Sequence, residues 1–182
     1  MDIFLKGKAW QVFLLLVAVP FGFQAVLMSF LVSSDSPNPE LILKVMPVIM
    51  LVFMGIFLLW FWSLGVGINQ RISTEFKPKS KLFKFSIIYS AIYALIFQAF
   101  FTLAANESNP GGAMVVILPM HLLGMFCMFY ALYFVAKNIA TFENEKTVKF
   151  SEFSGPFFLL WFFPIGIWLL QPRINRIYTN NT

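Results

Sequence analysis

Charge is confined to short segments along this chain. Five blocks contain no Asp, Glu, Lys or Arg: residues 10–32, 45–68, 85–104, 113–135 and 155–170. A charge at the centre of a bilayer costs about 3 kcal/mol even on the lenient insertion scale. Such charge-free blocks are therefore the signature of membrane spans. A helix needs about 20 apolar residues to cross the hydrocarbon core, and the first four blocks have 23, 24, 20 and 23. Pro20, Pro47 and Pro119 fall inside them, where neighbouring helices can satisfy the carbonyls they free. The pattern predicts an all-α integral membrane protein with four transmembrane helices, in one membrane domain over residues 1–182.

The fifth block is different. It has 16 residues, with Pro156 near its start and Pro164 in its middle. It either spans as a short kinked helix or is a re-entrant or interfacial segment, since apolar runs of about 10–14 residues are often re-entrant or interfacial and this one is just longer.

The connectors set an orientation. Lys6 and Lys8 precede the first block, Arg71, Lys77, Lys79, Lys81 and Lys84 follow the second, and Lys137, Lys146 and Lys149 follow the fourth. The first connector holds only Lys44 and the third no basic residue. Basic residues favour the cytoplasmic side, so the four-helix count predicts a cytoplasmic N-terminus. A fifth span would put Arg173 and Arg176 outside, against that rule. The 23-residue first block is too long for a signal peptide's apolar region of about 7–15 residues and is expected to stay as a helix.

Composition fits the blocks. The 182 residues are 59% hydrophobic and 12% charged, with a mean hydropathy of +0.80, whereas soluble domains are about 25% charged. The net charge of +5 is explained by the connectors and does not indicate nucleic acid. Cys127, the only cysteine, can form no intrachain disulfide and fits no zinc spacing. Residues 57–61 and 158–162 both read Phe-Leu-Leu-Trp-Phe, which raises an internal duplication, although Phe and Leu are common throughout.

Little chemistry is written in the blocks. Gln24, Gln98 and His121 fall in the outer halves of their helices and could form a polar cluster joining helices one, three and four. Met46, Met50 and Met54 share one side of helix two. Met114, His121, Met125 and Met128 share a face of helix four, and thioether with imidazole suits Cu(I). Met50, Met54, His121, Met125 and Met128 are thus the metal candidates, against packing as the ordinary role of methionine. Lys77, Lys79, Lys81 and Lys84 are topology determinants or contacts for lipid headgroups. No nucleophile elbow, phosphate loop or paired catalytic carboxylates occur, and no catalytic residue is assigned.

In the second half, Phe126-Cys127-Met128-Phe129-Tyr130, Pro164-Ile165-Gly166-Ile167-Trp168 and Gln171-Pro172-Arg173-Ile174-Asn175 resemble a family of small bacterial multi-pass membrane proteins. The resemblance implies a bacterial inner membrane and no activity. The expectation is a non-enzymatic inner-membrane protein without a cofactor, bound to the lipid bilayer and to a membrane-protein partner or a second copy. A small transporter or channel subunit is the alternative, and a copper-handling protein the third reading.

Overall fold

In hydrocarbon every backbone polar group needs an internal partner, which a helix supplies. The long apolar blocks accordingly form helices. A computed structural model describes residues 2–33, 39–104 and 111–179, so the centres of the first and third connectors lie outside it. The elements are α1 (Asp2–Lys6), α2 (Ala9–Phe13), a π-turn (Leu14–Ala18), α3 (Val19–Ser33), α4 (Pro39–Arg71), α5 (Lys81–Ala104), α6 (Gly111–Asn144), α7 (Phe150–Trp161) and α8 (Phe163–Thr179). Among the described residues there is no strand. Four stretches are long and apolar enough to cross a membrane: Ala9–Ser29, Val45–Arg71, Lys81–Phe100 and Val115–Asn144.

Local chemistry explains the irregularities. The π-turn, in which the Val19 N–H bonds the Leu14 carbonyl, immediately precedes Pro20. A proline has no N–H and crowds the carbonyl four residues back, so the ladder reorganises there. Helix α6 outruns its apolar block because Ala136, Ile139 and Ala140 still face the core. It stops where Glu145 takes a left-handed conformation (φ 48°) and the Asn144 side chain donates to the Ala140 carbonyl at 2.8 Å.

The fifth block is not one element. It forms the middle of a helical hairpin, α7 and α8, broken at Phe162 (φ −92°, ψ 52°). The Phe162 carbonyl accepts from Ile165 and Gly166 N–H at 3.0 and 2.9 Å. Pro164 needs no donor this close to a helix start. Gly166 presses against the Leu159 carbonyl, where any Cβ would collide. Helix α7 begins beside the C-terminal end of α6 and crosses it through Phe153 on Tyr133 (5.1 Å) and Trp161 on Phe129 (4.6 Å). Helix α8 then runs parallel to α4: Phe163 meets Phe57 (5.1 Å) and, fifteen residues on, Tyr178 lies under the Arg71 guanidinium (4.3 Å). The Arg173 guanidinium pairs with Glu143 at the end of α6. Both ends of the hairpin therefore lie at one end of the bundle. Its tip reaches Phe57, about 21 Å along α4 from Arg71 at 1.5 Å per residue.

The two halves of the bundle are packed unequally. The end holding the C-termini of α4 and α6 contains fully buried Trp60, Phe61, Leu64, Ile68, Phe83, Phe134, Ile139 and Ile174. Gly65 makes this possible: the Phe83 ring occupies the space its side chain would take and stacks on Phe134 at 4.6 Å. At the far end, Val26 is 71% exposed and Val115 is 75% exposed. The repeated pentapeptides reflect this contrast. Trp60 and Phe61 are buried, whereas Trp161 and Phe162 are exposed at the hairpin tip. The two copies thus differ in both burial and local structure.

Candidate functional site

Three places carry chemistry: a polar clasp, a mid-bundle cavity and an open seam on α3. The clasp holds the packed end. Asn138, fully buried, donates to the Gly65 carbonyl at 3.1 Å and accepts from Asn69 Nδ2 at 3.4 Å. Asn69 Nδ2 also reaches the Pro78 carbonyl of the α4–α5 connector at 3.0 Å. Nearby, Gln171 Nε2 donates to the Phe4 and Gly7 carbonyls at 3.1 and 3.2 Å, and Asn175 Nδ2 donates to Gly7 at 3.1 Å. These side chains satisfy carbonyls that a five-residue helix cannot satisfy internally. The clasp was not anticipated, although Asn69 directly follows an apolar run and Asn138 lies three residues past the end of another.

Two charged contacts secure the hairpin. Glu152 accepts from the Lys149 N–H at 2.8 Å and pairs with Lys146 at 2.6 Å. The Lys146 hydrogen bond, followed by the Lys149 N–H, holds the Glu152 carboxyl below its usual range. The Glu143 hydrogen bond raises Arg173 above its ordinary value, against the opposing effect of burial.

The cavity has a volume of about 310 Å³ and lies between α4, α6 and the tip of α7, with Tyr93 of α5 at one side. Helix α4 contributes Met54 and Phe57, α6 contributes His121, Met125, Met128 and Phe129, and α7 contributes Leu160 and Trp161. Residues 121, 125 and 128 share a face because their spacings of four and three match the helical turn. Gly124 lets the Tyr93 ring approach α6 closely. The Tyr93 hydroxyl then lies 2.7 Å from His121 Nδ1, and Phe97 flanks the same imidazole at 6.0 Å.

Of the five metal candidates, Met54, His121, Met125 and Met128 line this one cavity. Met50 does not: it is 61% exposed, one turn beyond Met54. The three polar candidates stand on three different helices, with His121 at this cavity. Gln98 stands half-buried on α5, and half-buried Gln24 lies on α3, which packs on α4 and forms no comparable interface with α5 or α6. Lys77, Lys79, Lys81 and Lys84 are all exposed at the packed end. Cys127 is buried as a free thiol. Among the described residues no three His, Cys, Asp or Glu side chains converge as a metal site.

A second, polar cavity of about 410 Å³ opens at the packed end between Arg71, Ser73, Phe76, Thr141, Phe142 and Glu145. The Thr141 hydroxyl beside it is buried without a hydrogen-bond partner.

The seam on α3 and the turn before it is a stripe of small residues: Ala18, Gly22, Ala25 and Ser29. Gly22, Ala25 and Ser29 are exposed, Ala18 is half-buried, and a Cβ at Gly22 would meet nothing within 4 Å. Spacings of four, three and four place them on one face. This signal was readable in the sequence. It is easily passed over because small residues interrupt no hydropathy profile.

Compared with known proteins, the chain matches no family model, no curated protein and no solved structure.

Proposed function

We propose that this chain is a non-enzymatic protein of the bacterial inner membrane that binds a partner's transmembrane helix along its open half, as a subunit of a larger complex. Its packed end faces the cytoplasm, and α7–α8 is a re-entrant hairpin. The orientation is supported by charge: every basic residue except Lys44 belongs to the packed end, including Arg173 and Arg176, as the positive-inside rule favours. Arg173 and Arg176 would violate that rule only if the fifth block spanned.

The observation that carries the binding reading is the small-residue seam. Membrane helices associate by close backbone approach along small residues, because lipid offers no hydrophobic drive between them. Among the described residues, Gly22, Ala25 and Ser29 are exposed, and a Cβ at Gly22 would meet nothing within 4 Å. The transporter reading has less support: among the described residues, the buried polar groups Ser63, Asn69, Ser86, Ser90, Asn138, Thr141 and Gln171 belong to the packed half, and none is ionisable.

A photo-crosslinking side chain at Ala25, in cells, tests the reading. The expected result is a discrete adduct that Gly22→Ile abolishes while helicity and thermal stability stay unchanged, since among the described residues a Cβ at position 22 meets nothing within 4 Å. Co-expressing two differently tagged copies identifies whether the partner is a second copy. An adduct from Ala25 no stronger than one from exposed Leu95, together with solute flux by the purified protein in liposomes, would overturn it in favour of a transporter.

A further inference from the structure

We propose that the mid-bundle cavity binds one Cu(I) ion through the thioethers of Met54, Met125 and Met128 and the imidazole of His121. Three of these side chains come from one face of α6, and Met54 comes from α4 across the cavity. Two helices therefore converge on one volume with three soft sulfur donors and one nitrogen. That donor set selects a soft monovalent ion. Thioethers bind Cu(I) well, whereas zinc and calcium ask for thiolate, carboxylate or several imidazoles. No such cluster exists among the described residues.

The imidazole is held as a ligand would be. Metal-binding histidines commonly engage their second ring nitrogen with an outer partner that fixes orientation and tautomer. Here the Tyr93 hydroxyl lies 2.7 Å from Nδ1. With the proton on Nδ1 donated to the phenol oxygen, the Nε2 lone pair is the one left to bind metal. Tyr93 is thus a positioning residue and not a ligand.

The walls suit a monovalent cation. Phe57, Phe129 and Trp161 line the same cavity, and aromatic faces attract cations. The volume is larger than an ion needs, but methionine has three rotatable bonds and can close on a ligand. Met125, 47% exposed at the cavity rim, marks the entrance. Met50 lies on the same helix as Met54 but outside the cavity, which makes it an internal control.

The test is Cu(I) titration of the full-length protein in nanodiscs, under ascorbate, in competition with a chromogenic Cu(I) chelator. Wild type is expected to hold one ion per chain. Met125→Leu with Met128→Leu, and separately His121→Phe, are expected to weaken binding at least about tenfold, since even outer-shell changes cost 10–100-fold. Tyr93→Phe is expected to weaken it about tenfold, with sulfur scattering retained in X-ray absorption. Met50→Leu is expected to match wild type, and Zn(II) is expected not to be retained. Leu replaces Met at nearly constant volume. Should the double variant fail to fold, Met125→Leu alone, at the rim, carries the same expectation. Absence of Cu(I) binding by wild type, equal binding by the ligand variants, or an equal loss in Met50→Leu would each overturn the site. The α3 adduct reads a different face, so either proposal can fail without the other.

Discussion

The two ends of helix α4 are both apolar and pack differently. Around Gly65 the neighbouring helices close to contact. Around Gly55, ten residues earlier, a Cβ would meet nothing within 4 Å. Hydrophobicity sets depth in a bilayer but does not bring helices together, because lipid is as apolar as leucine. What distinguishes the packed end is small residues on facing surfaces, such as Gly65, Ala131, Ala136 and Ala140, and buried amides that need each other. The open end keeps large side chains turned outward.

The largest expected break in this comparison is the same substitution at both glycines. Gly65→Ala should drive a methyl into the Phe83 ring and cost about 2–3 kcal/mol. Gly55→Ala should leave stability unchanged or raise it by up to about 1 kcal/mol through helix propensity. Thermal unfolding in detergent reads both, and equal losses would refute the asymmetry.

Next in size is the clasp. Asn138→Leu removes two hydrogen bonds and leaves Asn69 and the Gly65 carbonyl short of partners, an expected loss of about 1–2 kcal/mol. Gln24→Leu on the open half should fall within about 0.5 kcal/mol. Smaller again is Arg173→Gln. Its pair with Glu143 is partly exposed, so the loss should stay below about 1 kcal/mol. Protease cleavage near the C-terminus should nevertheless speed up as α8 loosens.

The smallest effect is a pH dependence confined to the start of α7. The folded Glu152 carboxyl lies below its ordinary value, so its contribution is complete above the ordinary carboxylate range. That contribution is lost as pH falls through the depressed folded value, because the unfolded chain binds the proton first. Amide protection factors at residues 150–153 should fall on acidification in wild type and be low at all pH values in Glu152→Ala.

The four long helices were legible because charge exclusion is a one-dimensional signal. The hairpin was not. A 16-residue apolar run fits a short span or a re-entrant turn equally well, and the choice depends on where Arg173 and Tyr178 find partners, Glu143 and Arg71, far away in sequence. The methionine spacing on α6 was readable, but not which level along α4 meets it. Met50 and Met54 are one turn apart, and only the crossing of the helices decides between them. The Asn69–Asn138 bond spans 69 residues, and no local pattern encodes it.

The bonds from Gln171 and Asn175 to the carbonyls of Phe4 and Gly7 span 164 to 168 residues. Those carbonyls find their donors only after α8 has been made, so the contact between α1 and α8 is among the most non-local in the fold. Loosening α8 therefore also releases α1, although the two are far apart in sequence.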